Sequence, residues 1–169
     1  SFGRNALMAL PGAPFLAPQH GGLFLEGCSL MELAREHGTP LYVYSRSAMR
    51  TAAADYQRAL AGRSHLLCYA MKANSSLAVL QTFVEAGCGF DIVSGGELQR
   101  VLAAGGDPGK VVFSGVGKTR AEMHQAIKAG VRCFNVESEP ELWCLSEVAQ
   151  AIGASVPVSL RVNPDVDAQ

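Results

Sequence analysis

From residue 65 onward the chain switches repeatedly between two patterns of apolar and polar positions. Short, mostly apolar runs at 65–72 (HLLCYAMK), 89–93 (GFDIV), 110–115 (KVVFSG), 132–137 (RCFNVE) and 156–163 (VPVSLRVN) read as strands. Amphipathic helical stretches fill the intervals between them. Strand starts recur every 21 to 24 residues, and this alternation predicts βαβ units on a parallel sheet. Four Ser/Thr-x-x-Glu sequences stand where helices should begin: Ser29/Glu32, Ser94/Glu97, Thr119/Glu122 and Ser138/Glu141. Each can form a capping box, the side chains satisfying free N–H groups of the first turn. Gly87, Gly105, Gly130 and Gly153 follow the helical stretches, where a left-handed residue ends a helix well.

The fold class this predicts is α/β, a partial (β/α)8 barrel. A complete barrel has eight units and about 250 residues. Residues 46–169 supply the first five, so three more are expected beyond Gln169, and the chain alone is expected to be inactive, its strand edges open. Upstream, GTPLYVYS (38–45) predicts another strand over 41–45, followed by a helix from about Arg46 to Ala61. That strand stands outside the repeat, which places residues 1–45 with a second domain.

Composition narrows the function. Of 169 residues 49% are hydrophobic and 17% charged, as in a globular protein with a substantial core. Fourteen basic and fifteen acidic residues give a net charge of -1, which provides no broad field for nucleic acid or an anionic membrane. A small-molecule ligand is the expected partner. No apolar run approaches the roughly 20 residues of a membrane span. The opening SFGRNALMALPGAPFLAPQHGG reads as a flexible lead-in rather than a signal peptide. Five scattered cysteines without a C-x-x-C pair suit reduced core thiols in a cytoplasm, and the four dispersed histidines present no metal-ligand spacing.

Candidate chemistry lies at the strand ends, where barrel enzymes place it. Lys72 closes the first repeating strand. A partly desolvated amine there can attack a carbonyl to form a Schiff base, although a lysine at a strand end can equally well be snorkelling to water. Asp91, within GFDIVS, lies on the face opposite Phe90 and Ile92 and needs a cationic or hydrogen-bonding partner if that face is the barrel interior. Arg161, within VSLRVNP, poses the same problem with opposite sign; it could serve a ligand or neutralise an acid such as Asp91. Glu97 is accounted for by its cap. GVGKT (115–119) fails as a phosphate loop, because the glycine required five positions before Gly117 is Val112, and it reads as a tight turn leading into the Thr119/Glu122 cap.

Five separated segments, CYAMKANSSLAVL, GCGFDIVSGGEL, VVFSGVGKT, FNVES and RVNPDVDA, together resemble the diaminopimelate decarboxylase family, pyridoxal-phosphate enzymes of fold type III. The resemblance runs from about Leu23 to the last residue. It implies a barrel of the alanine-racemase type, a β-rich second domain to which the N-terminal segment belongs, and a homodimer at full length. It further implies that Lys72 carries pyridoxal 5'-phosphate as a Schiff base. Asp91 and Glu97 match acidic positions near the cofactor and its lysine, and Arg161 matches an interior arginine near the ring. The implied reaction is decarboxylation of meso-2,6-diaminopimelate to L-lysine. Related decarboxylases of ornithine, arginine or carboxynorspermidine, and a non-catalytic pyridoxal-phosphate-binding relative, are the alternatives.

Overall fold

The computed structural model describes residues 12–162 and 164, so the reading of the first residues as a lead-in lies, for 1–11, outside the described residues. The chain divides into two compact units, one ending at Asp55 and the other beginning at Tyr56. In the first, β1 (Leu16–Gln19), β2 (Gly22–Leu25) and β3 (Cys28–Ser29) form an antiparallel sheet in the order β1-β2-β3. The β1–β2 hairpin closes through His20 and Gly21, at φ 47° and 81°, the left-handed pair that matches the twist of a two-residue hairpin. Ser29 caps α1 (Leu30–His37) by accepting from Glu32 N.

Residues 41–45 are not a strand. They lead without regular structure into α2 (Arg46–Ala59), pair with no strand among the described residues, and Tyr42 is 86% exposed. Alternating β-formers make a strand only when a ladder takes up their backbone N–H and C=O groups. Glu26 organises this turn instead: its Oε1 accepts from Ser45 Oγ (2.5 Å) and Ser47 N (2.9 Å), while Ser45 Oγ accepts from Ala48 N. The Ser45 hydroxyl, and then the Ser47 amide, hold the Glu26 carboxyl below its ordinary range.

The second unit is the predicted repeat. Strands β4 (Cys68–Ala70), β5 (Gly89–Ile92), β6 (Val111–Phe113), β7 (Cys133–Val136) and β8 (Val158–Leu160) pair in parallel, in chain order. They alternate with α3 (Leu77–Glu85), α4 (Gly95–Ala103), α5 (Arg120–Ala129) and α6 (Glu139–Ala151). This is a partial (β/α)8 barrel; no helix follows β8 among the described residues, so the fifth unit is represented by its strand. The strands are shorter than their apolar runs, because residues 65–67 and 71–72 add hydrophobicity outside the ladder.

Strand alternation sorts the two faces. Phe90, Ile92, Val111, Phe113, Phe134 and Val136 point to the helices and are almost wholly buried against residues such as Leu98, Met123 and Leu145. Phe113 and Phe134 stack with centroids 5.7 Å apart. At Gly89 an added Cβ would overlap the Lys110 carbonyl oxygen, so only glycine fits there. No helix of the described residues is long and apolar enough to cross a membrane.

All four predicted N-caps are present: Ser29, Ser94, Thr119 and Ser138 each accept from the backbone N–H three residues on, at 3.2–3.4 Å. Only Thr119/Glu122 closes the reciprocal box. Glu97 and Glu141 instead reach one residue further back, to Val93 N (2.6 Å) and Glu137 N (3.0 Å). Gly87, Gly105, Gly130 and Gly153 all take positive φ at the helix ends.

Because Phe113 is fully buried between strand and helices, Phe113→Ala is expected to cost about 3–5 kcal/mol in urea unfolding. Tyr42→Ala, on the exposed segment before α2, is expected to stay within about 0.5 kcal/mol of the parent.

Candidate functional site

The face of the sheet turned away from the helices is polar towards the C-terminal strand ends. Register aligns Ala70 with Asp91 and Asp91 with Val112, and alternation then brings Ser114, Asn135, Glu137, Ser159 and Arg161 to this same face. Lys72 sits two residues past β4, in the 3-10 turn Met71–Ala73, and its side chain is exposed. It makes no hydrogen bond or ion pair with any described residue. The expected partial desolvation of Lys72 is thus not found within this chain: it is exposed because nothing among the described residues covers the C-terminal end of β4.

Asp91 has a neutral partner. Ser114 Oγ donates to Asp91 Oδ1 at 2.5 Å, and Asn135 Nδ2 donates to Ser114 Oγ at 2.9 Å. Arg161 does not neutralise Asp91; its Nη1 lies 3.5 Å from Glu137 Oε1, which also accepts from Gly115 N at 3.0 Å. The two charges that the strand pattern placed on one face therefore belong to separate clusters, one on β5–β7 and the other on β7–β8. Glu97 is engaged at the start of α4 through Val93 N. Two thiols lie near Asp91, Cys68 on the neighbouring β4 and Cys133 beyond Val112 on β7: burial, then the Asp91 charge, raises Cys68, and burial raises Cys133, so both stay neutral.

Lys118, like Asn135 and Glu137, is a residue of this rim that the sequence reading does not single out. The Lys118 side chain is completely buried, and Nζ donates to Glu141 Oε1 (2.6 Å), Gly115 O (2.6 Å) and Asn135 O (2.8 Å). All three ammonium protons are used, and the Phe113 ring lies 5.8 Å away. Glu141 in turn accepts from Glu137 N through its other oxygen. The loop after β6, the end of β7 and the first turn of α6 are thereby bolted together. Glu122 does the same one unit earlier, accepting from Gly95 N (2.8 Å) and Thr119 N (3.0 Å). The alternation of Asn135 and Glu137 with Phe134 and Val136 was a usable signal for two of the missed residues. Nothing local marked Lys118 as buried.

A parallel βα sheet whose polar groups gather at the C-terminal strand ends, with a free amine at one of them, defines a barrel-type enzyme domain able to hold a carbonyl ligand. The chain belongs to the pyridoxal-dependent decarboxylase family: the model of its pyridoxal binding domain matches residues 46–169. It is 60% identical to the diaminopimelate decarboxylase of Pseudomonas aeruginosa over 147 residues, 87% of this chain and 35% of that protein. Among solved structures it is similar to diaminopimelate decarboxylase from Helicobacter pylori complexed with L-lysine, at TM-score 0.78 and 43% identity over 82% of this chain and 35% of that one. It is also similar to diaminopimelate decarboxylase from M. jannaschii, at TM-score 0.85 and 36% identity over 92% of this chain and 37% of that one. The chain spans about a third of the length of the curated relatives it matches.

The residues present fit pyridoxal phosphate, since its aldehyde needs an accessible amine with no competing ion pair and Lys72 is one. Breaking the buried pair by Lys118→Ala or Glu141→Ala is expected to cost about 3–5 kcal/mol, whereas Lys118→Met with Glu141→Leu costs less than the sum, as read by urea unfolding. Backbone amides of Gly95 and then Thr119 lower the Glu122 pKa. Its stabilisation is therefore complete above the ordinary carboxyl value of about 4.3 and fades as pH falls through the lower folded value. Glu122→Gln is expected to flatten that acid limb of the stability–pH curve.

Proposed function

We propose that the full-length protein decarboxylates meso-2,6-diaminopimelate to L-lysine with pyridoxal phosphate bound through Lys72. The observation that carries the reading is the exposed, unpartnered amine of Lys72 at the end of β4, inside the segment that matches the pyridoxal binding domain. The relatives at 56–60% identity are named for this activity, which favours it over ornithine or arginine decarboxylation.

Pyridoxal phosphate, when bound, supplies an electron sink for the pair left behind as carbon dioxide departs. Lys72 Nζ would hold the cofactor's aldehyde carbon, and its amine, once released, would be able to carry a proton. Asp91, fixed by Ser114, provides a carboxylate on the strand next to the one that leads into Lys72. Arg161, held by Glu137, provides a cation one strand beyond Asp91's cluster, and Glu97 ties the first turn of α4 to Val93 N. Residues 1–45 associate with a β-rich second domain and 46–169 form the cofactor barrel. The full-length protein works as a homodimer in the cytoplasm on a small amino acid, with no nucleic-acid partner.

The full-length protein supplied with pyridoxal phosphate is expected to release carbon dioxide and L-lysine from meso-diaminopimelate and to leave ornithine and arginine essentially untouched. Lys72→Ala is expected to abolish turnover. Preference for ornithine or arginine, or full turnover by Lys72→Ala, would overturn the assignment.

A further inference from the structure

Ser114 is one of the few buried polar side chains of the chain, and its bonding has a fixed direction. A hydroxyl carries one proton. Because Asn135 Nδ2 donates to Ser114 Oγ at 2.9 Å, that proton is left for Asp91 Oδ1, 2.5 Å away, within the range of about 2.5–2.7 Å of a charge-assisted O–H···O⁻ bond. Both donors are themselves anchored. Ser114 N donates to Ile92 O at 2.8 Å, and Asn135 O accepts from the buried Lys118 ammonium. The run from Asn135 through Ser114 to Asp91 thus spans three adjacent strands and starts from a residue that the Lys118–Glu141 pair immobilises.

Such a chain costs more to order than a single core packing contact, and Asp91 would be satisfied more cheaply by water at its half-buried position. What the chain adds is a defined rotamer. One carboxylate oxygen is tied down, while Oδ2 makes no hydrogen bond with any described residue. Ala70, the register neighbour of Asp91, stands two residues before Lys72, so the carboxylate and the lysine belong to adjoining positions on neighbouring strands.

We infer that Ser114 and Asn135 are positioning residues that act through Asp91, presenting its free oxygen to the cationic nitrogen by which Lys72 holds pyridoxal phosphate. The inference rests on the proposed role of Lys72. Neither residue touches the ligand; each governs how well a carboxylate is aimed at it. Cys68 on the neighbouring β4 and Cys133 two strands away on β7 are neutral thiols and supply no competing charge.

The experiment is a pyridoxal-phosphate titration of the full-length protein, followed by the visible absorbance that depends on Lys72. Ser114→Ala removes one oxygen from a buried site and is expected to weaken binding about tenfold, consistent with losing a hydrogen bond to a charged group. Ser114→Thr keeps the hydroxyl and is expected to restore binding to within about threefold of the parent. Asp91→Asn weakens binding, and Ser114→Ala added to it is expected to weaken it no further, since residues acting through one group are not additive. Parent-like binding by Ser114→Ala, or a Ser114→Ala effect that adds in full to Asp91→Asn, overturns the inference while leaving Lys72 as the cofactor lysine. A parent protein with no absorbance band lost in Lys72→Ala overturns both.

Discussion

The rim of this half-barrel depends on one buried ammonium. Removing Lys118 from water is costly unless every proton of the charge is met, and three acceptors from three segments meet it: Gly115 O in the loop after β6, Asn135 O on β7 and Glu141 Oε1 at the start of α6. The consequence is positional. Gly115, held at φ 95°, turns its N–H to Glu137; Glu137 holds Arg161; and Asn135 steers Ser114 onto Asp91. Asp91 and Arg161 are thus each held through residues that Lys118 or its partner Glu141 restrains.

Lys72 is the opposite case, and the contrast separates structure from chemistry. Both lysines stand at the C-terminal ends of the parallel strands, one after β4 and the other in the loop after β6. Lys118 is buried and saturated with acceptors, so its amine has no lone pair or space to offer a carbonyl. Lys72 is exposed and unpartnered, so its amine is available. A free amine beside restrained polar groups is the arrangement expected of a domain that captures an aldehyde cofactor and then controls what the capture leads to.

Much of this was legible along the chain. The alternation of short apolar runs with capped amphipathic helices placed all five strands, their parallel pairing and the four N-caps, because each of those features is decided within a few residues. Asp91 was assigned to the face opposite Phe90 and Ile92 by the same local rule, and that face is where it lies. What failed was decided between segments. Residues 41–45 have strand-like composition but find no ladder. Asp91 and Arg161 were natural mates by charge, yet Ser114 and Glu137 take their places because register, which no local pattern specifies, puts them nearer. Locally Lys118 stands only in a motif that fails as a phosphate loop, and its role needs α6 folded back over the β6 loop. Glu97 and Glu141 likewise cap one residue earlier than the capping-box spacing implies.

The most direct measurement is borohydride reduction of the full-length protein loaded with pyridoxal phosphate, followed by peptide mass mapping of the stable adduct. Modification confined to Lys72, with Lys118 unmodified, is the result this account requires. Modification at Lys118, or a loaded and folded protein with no adduct on Lys72, would contradict it.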